Sequence, residues 1–252
     1  MTVDPRATSG FASPEAYERG RPSYPAHAVA DVAHELGLTA TSTVLDLAAG
    51  TGKLTRVLVP LVGHVIAVEP SPAMLAELRA QLPDLDARAG TAEAIPLPDD
   101  SVDAVFVGEA FHWFRTAQAS REIARVLVPG GGLALLWNRS RWGEMDPPWL
   151  AEFDALVKPH RTASGPFPAE EWAAELARTR LFEPLSRVDV VHDHRVTADD
   201  LVALASSWSW IANLPDLERN GVLTAVRRIV GPDAELTLRY ATEISWTRST
   251  RR

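Results

Sequence analysis

The sequence predicts an α/β fold, a three-layer sandwich on a seven-stranded, mostly parallel sheet whose last strand is antiparallel. Three observations carry this reading. Short apolar runs at 44–47, 65–68, 104–107 and 133–137 alternate with segments of helical period. That is the pattern of parallel strands joined by right-handed crossovers and covered on both faces. The first run passes directly into Gly50-Thr51-Gly52, a turn of the Rossmann-like kind that opens a helix. Two late stretches, 185–196 and 234–247, alternate apolar and polar residues instead, as strands at a half-exposed sheet edge do.

In chain order, residues 11–25 mix aromatics, charges and prolines and form an N-terminal lid. Val29, Val32, Ala33 and Leu36 then recur at helical spacing, and Gly37 closes the helix. Residues 44–47 are the first strand, 53–61 the helix it feeds, and 65–68 the second strand. Ser71 is the N-cap of the next helix, with Pro72 in its first turn and Met74, Leu75 and Leu78 on its buried face. A short strand at 86–89 leads to Gly90-Thr91-Ala92-Glu93, and 96–100 is a loop by its turn chemistry. The fourth strand is 104–107. A helix over 116–127 stops at Pro129-Gly130-Gly131-Gly132, ahead of the fifth strand at 133–137. Residues 138–181 gather Trp142, Trp149, Phe167 and Trp172 around prolines, which predicts an irregular helical insertion over the ligand edge of the sheet. In the late strand 185–196, residues Val188, Val190, His192, His194 and Val196 share one face. Residues 198–230 read as helical, and 234–247 as the antiparallel partner of a hairpin-like pair. The whole fits one domain over 1–252: lid and first helix 11–37, core 38–140, insertion 141–181, and edge strands with helices 182–252.

Composition removes several function classes. A formal charge of −8, only two lysines (Lys53 and Lys158) and scattered arginines leave no surface suited to neutralising phosphates, so no nucleic-acid partner is expected. The absence of cysteine excludes disulfides, thiolate catalysis and Cys-ligated zinc or iron–sulfur sites. His192-Asp193-His194 sets two imidazoles on one strand face, but no third ligand is recognisable and no metal is assigned. Residues 1–10 lack the charged start and apolar run of a signal peptide, and no apolar stretch reaches the ~20 residues of a membrane span. The expectation is a soluble cytoplasmic protein without a membrane partner, monomeric or homodimeric, acting on a small molecule.

The glycine turn carries the chemistry. Its backbone N–H groups can approach a ligand closely, and Glu69, which ends the second strand 17 residues beyond Gly52, can accept hydrogen bonds from both hydroxyls of a ribose. A dinucleotide would require a third glycine, but the sequence here is Gly50-Thr51-Gly52-Lys53-Leu54-Thr55. Asp46, at the strand end, would repel a pyrophosphate and favour a cationic amino group. An adenosine that bears an amino acid satisfies both conditions.

These residues, together with Glu69-Pro70-Ser71, Ala92-Glu93, Ile95-Pro96-Leu97, Ser101-Val102-Asp103 and Leu127-x-Pro129-Gly130-Gly131, make residues 11–140 similar to a class I S-adenosylmethionine-dependent methyltransferase of type 11. The segments Tyr17-Glu18-Arg19-Gly20-Arg21-Pro22 and Ala110-Phe111-His112-Trp113-Phe114 resemble its trans-aconitate methyltransferase-like branch. The resemblance implies that S-adenosyl-L-methionine is the cofactor. Gly50, Gly52, Ala48 and Asp46 would lie along its methionine part, and Glu69 would bind the ribose. Ser71 or Met74 would flank the adenine, and Thr91, Ala92 and Glu93 would line the adenine pocket. Glu109 and Ala110 would approach the sulfonium, while Tyr17 and Arg21 would fold over the cofactor.

Two positions depart from the family pattern. Ala48 replaces the commonest pattern's first glycine, a change tolerated where that residue keeps a negative φ. Thr91 replaces an aspartate that contacts the adenine amino group in many relatives.

Methyl transfer from a sulfonium asks mainly for alignment in a water-poor cavity, and a base only when the acceptor must lose a proton. His112 is the candidate base, and Trp113, Trp137 and Arg139 are candidates for the acceptor pocket. The acceptor is a small molecule, a carboxylate or a hydroxyl compound. A non-catalytic cofactor-binding homologue that serves as a partner or regulator is the first alternative. A nicotinamide-dependent reductase is the second, opposed by the missing third glycine and by Asp46.

Overall fold

The computed structural model describes residues 13–142, 147–161, 171–231 and 235–251. Phe167 and Ala234 lie outside the described residues. The chain divides into two compact units. One comprises Met1–Pro22, Arg139–Gly165 and Val191–Ala241; the other comprises Ser23–Asn138, Pro166–Val190 and Thr242–Arg252.

Seven strands form one sheet: β1 (Thr43–Leu47), β2 (His64–Glu69), β3 (Asp86–Ala89), β4 (Val102–Gly108), β5 (Leu127–Ser140), β6 (Ser186–Thr197) and β7 (Glu235–Arg248). Their order is β3-β2-β1-β4-β5-β7-β6. β1 pairs in parallel with β2 and β4, β2 with β3, and β4 with β5, and the last strands run antiparallel. β7 does not close the edge. It lies between β5 and β6, so the earlier of the two late strands is the outermost.

The unit that begins at Ser23 is built on the period-2 alternation of its strands. Leu45, Leu47, Ile66, Val68, Val105, Val107, Leu133 and Leu135 point to one face. There they meet Ala119 and Ile123 of α5 (Thr116–Val126) and Trp172 and Leu176 of α7 (Glu171–Thr179). Val44, Val65, Ala104, Phe106, Ala134 and Leu136 point to the other face. They pack on α2 (Ala26–Glu35) and α3 (Lys53–Leu58), while α4 (Pro72–Gln81) buries Leu75 and Leu78 against Ala67. Both faces are dry, which is why these strands read as continuous apolar runs.

The other unit has its own apolar centre. Leu150, Phe153 and Val157 of α6 (Pro148–Val157) pack with Leu201 and Leu204 of α8 (Ala198–Ser206), Ile211 of α9 (Ser209–Ala212) and Val222 and Val226 of α10 (Asp216–Val230). Leu236 and Leu238 of β7 complete it. The single helical stretch expected over 198–230 is thus three helices. The first is fixed by a capping box in which Thr197 and Asp200 satisfy each other's backbone N–H.

Two further differences have local causes. Helix α1 (Pro14–Gly20) stands where only a lid was expected. Ser13 accepts from Ala16 N and Pro14 occupies the first turn, an N-terminal signature in its own right. Strand β5 starts at Leu127 and runs through the proline–glycine segment, which was expected to lie ahead of a strand beginning at Leu133. A Cβ on Gly132 would meet Leu36 Cδ2 at 2.7 Å, so the glycine lets α2 lie directly on the strand.

Candidate active site

The carboxyl ends of parallel strands share one edge of the sheet, and the candidate residues of β1, β2, β4 and β5 assemble there. Asp46 and Leu47 end β1, after which the chain turns left-handed at Ala48 (φ 59°), Gly50 (φ 59°) and Gly52 (φ 87°) before entering α3. The condition under which alanine replaces the glycine without strain, a negative φ at Ala48, is therefore not met. Its N–H and that of Ala49 both donate to Val68 O, at 2.8 and 3.2 Å. These two bonds hold an alanine in a region that costs an L-residue roughly 1–2 kcal/mol. A Cβ on Gly50 would meet nothing within 4 Å, whereas one on Gly52 would overlap Leu78 Cδ1 of α4. The two glycines thus do different work: one leaves open space and the other admits a helix.

Glu69 ends β2, 6% exposed. Its Oε2 accepts from Gly50 N at 2.9 Å and its Oε1 from Ser71 N at 2.8 Å. Burial raises its pKa, and these two backbone bonds oppose the shift. Ser71 caps α4 by accepting from Met74 N, and Met74 is buried beneath it.

Asp46, 1% exposed, accepts at Oδ2 from Thr55 Oγ1 at 2.5 Å. Its Oδ1 is buried without a hydrogen-bond partner. Burial pushes its carboxyl up to about 7, the Thr55 bond opposes this, and nearby Glu69 adds to it. Thr55 was not singled out in the sequence. Its signal is a buried hydroxyl on the inner face of the helix that leaves the turn.

The next pair of strands carries the remaining cluster. Glu109, directly after β4, has φ 56°; its N–H donates to Leu136 O, and Oε1 accepts from Asn138 N. Ala110 caps a short turn, Phe111–Trp113, that presents His112. His112 Nδ1 lies 3.3 Å from Nε1 of Trp137 on β5. Its ring lies beside Trp113, at 5.2 Å between centroids. Trp137 is buried and stacks on Trp172 at 4.9 Å.

After β3, Thr91 and Ala94 form an isolated bridge, with Ala92 buried between them. The Glu93 carboxylate accepts from Arg115 N at 3.0 Å, which satisfies an amide at the start of α5.

Tyr17, Arg21 and Arg139 belong to the other unit. There Arg21 lies over the Tyr17 ring, at 5.4 Å from its centroid. Arg21 also donates from Nε to Ser207 Oγ at 2.8 Å and from Nη2 to Ser207 O at 3.1 Å. Among the described residues, no three His, Asp or Glu side chains form a group that could hold a metal ion. No described helix is long and apolar enough to cross a membrane.

A sequence profile described as a methyltransferase domain matches residues 45–135, the stretch that carries the glycine turn, Glu69 and β4. The chain is 41% identical over 220 residues to an uncharacterized methyltransferase of Mycobacterium bovis, covering 85% of this chain and 82% of that one. It belongs to the methyltransferase family of these relatives. This methyltransferase is also 37% identical over 207 residues to an uncharacterized methyltransferase-like protein of Schizosaccharomyces pombe, covering 82% and 79% of the two chains. The solved structure of a putative type II methyltransferase from Anaeromyxobacter dehalogenans shares its fold. That match has a TM-score of 0.61 at 23% identity, over 90% of this chain and 97% of the other.

Proposed function

We propose that this methyltransferase transfers a methyl group from S-adenosylmethionine, bound at the glycine turn, to a small-molecule acceptor with a carboxylate or hydroxyl oxygen. The observation that carries the reading is the Glu69 carboxylate, buried and clamped by the N–H groups of Gly50 and Ser71. Clamped in this way, it keeps a fixed orientation while each oxygen retains a lone-pair site for a ribose hydroxyl.

The residues fit an amino-acid-bearing adenosine. Gly50 borders open space, and the unmatched Oδ1 of Asp46 suits an ammonium group, the kind of partner a buried acceptor requires. Gly52 and Ala48 shape the turn beside it. Ser71 and Met74 would flank the adenine, with Thr91, Ala92 and the Glu93 backbone on its other side. The bound donor supplies a sulfonium methyl that needs no further activation. The chain binds it, excludes water, and brings Asp46, Glu69 and Glu109 to one sheet edge, where carboxylates favour a cationic ligand.

Ala110, His112, Trp113 and Trp137 are assigned to the acceptor side. A small acceptor agrees with the formal charge of −8, which disfavours polyanionic partners.

Calorimetry with S-adenosylmethionine and S-adenosylhomocysteine tests the reading. Both should bind the wild-type protein. Loss of charge-assisted hydrogen bonds worth roughly 1.5–3 kcal/mol should lower affinity for both by roughly tenfold or more in Glu69→Ala. Binding of NADPH in their place, or affinity untouched in Glu69→Ala, would overturn it.

A further inference from the structure

We propose that Trp137 locks His112 as the neutral tautomer protonated on Nε2, so that His112 is a hydrogen-bond donor on the acceptor side and not the base. The placement on the acceptor side rests on the proposed function; the tautomer rests on geometry alone.

Parallel pairing sets Gly108 of β4 opposite Leu136 of β5. The next residues, Glu109 just past β4 and Trp137 still within β5, therefore stand side by side. Three residues past Glu109, His112 Nδ1 faces Trp137 Nε1 at 3.3 Å. An indole N–H only donates, so Nδ1 must supply the lone pair. A neutral imidazole has one donor nitrogen and one acceptor nitrogen, so the proton resides on Nε2. An imidazolium would set two donors against each other.

The indole is held in place by its surroundings. Trp137 is 3% exposed and stacks on Trp172 at 29° between planes. Trp172 in turn meets Phe111 edge-on at 5.6 Å, and Phe111 packs on Phe114 at 5.4 Å. Swinging the indole N–H away would dismantle this stack, in a core where packing tolerates little displacement. Trp137 is thus a positioning residue that acts through His112.

The chemical consequence concerns the proton. In this tautomer the only imidazole lone pair is already engaged, and taking a proton there requires breaking the Trp137 bond. The step balances without His112 for a carboxylate acceptor: its oxygen would form the new bond to the methyl with a lone pair it already has, the methyl–sulfur bond would break with its electron pair going to the sulfur of the departing S-adenosylhomocysteine, and no proton would need to move. What the imidazole offers instead is an N–H from Nε2 that can orient an oxygen.

Nuclear magnetic resonance on the full-length, nitrogen-15-labelled protein without added ligand tests this. The expected result is a through-hydrogen-bond coupling between Trp137 Nε1 and His112 Nδ1, with the imidazole proton on Nε2; the loss of its signals in His112→Gln assigns the ring. Trp137→Phe keeps an aromatic ring against Trp172 but removes the donor. The coupling should vanish and the Nδ1 resonance should move. A proton on Nδ1 in the wild-type protein, or an Nδ1 resonance unmoved by Trp137→Phe, would overturn the proposal. The wild-type spectrum needs no variant to fold and no donor to bind. Failure of the calorimetric test would therefore leave this result standing, and the reverse also holds.

Discussion

Asp46 shows how one buried residue ties stability to pH. Burial raises its carboxyl from 3.8 to about 7, against the Thr55 hydrogen bond. Between those two values the native protein holds a proton that the unfolded chain has released. The neutral form therefore stabilises the fold fully below pH 3.8, and this contribution is lost as pH rises toward about 7. Asp46→Asn never ionises, so it should keep its stability through that window while the wild-type protein loses up to roughly 1.4 kcal/mol per pH unit. Chemical denaturation of both proteins across the range measures this, and parallel curves would remove Asp46 as the cause. A cationic ligand beside Oδ1 favours the carboxylate, so donor binding below about pH 7 should release protons, visible as a buffer-dependent heat in calorimetry. The sequence made Asp46 and Glu69 legible through their place at strand ends. The Thr55 bond and the Trp137–His112 contact were not legible, because each joins residues whose approach is set by tertiary packing.

At the level of elements, the glycine turn separates two requirements that the motif presents as one. Gly52 is needed for packing as well as for its φ of 87°, since a Cβ there would overlap Leu78 Cδ1, whereas Gly50 has open space. Gly50→Ala should cost roughly 1–2 kcal/mol, the penalty of a left-handed L-residue. Gly52→Ala should cost more, because an overpacked core adds roughly 1–3 kcal/mol. Thermal unfolding of the two variants gives the comparison, and a larger loss for Gly50→Ala would contradict this division of labour. The strands of the parallel core were readable because burial on both faces leaves a continuous apolar run. Strand β5 was misjudged at its start because Pro129-Gly130-Gly131-Gly132 carries turn chemistry. What overrides it is close approach: Leu36 occupies the space a side chain at Gly132 would need. Helix α1 was legible in Ser13-Pro14 and overlooked, since it has only seven residues and no apolar stripe long enough to show a period.

For the molecule as a whole, strand order was the feature that local pattern could least supply. Alternation over 185–196 and 234–247 marked two edge-type strands, yet nothing in either stretch says that the later one inserts beside β5 and leaves β6 outermost. That placement is a long-range choice, and it brings the end of the chain back onto the parallel core. Ser249 N donates to Gly131 O at 2.8 Å and Gly130 N to Arg251 O at 3.0 Å. The Arg251 Nη1 then donates to Ala124 O, Arg125 O and Leu127 O at the end of α5, while its Nη2 pairs with Asp100 at 2.8 Å. The last carbonyls of a helix have no partners within it, and a cation placed there also complements the helix dipole. Arg251→Ala should therefore lower global stability by roughly 1–3 kcal/mol. Most of that loss should persist at high salt, because screening weakens the exposed Asp100 pair far more than the hydrogen bonds to carbonyls. Denaturant unfolding at low and high ionic strength measures both terms. A loss that salt abolishes would assign the effect to Asp100 alone and leave the end of α5 without its clasp.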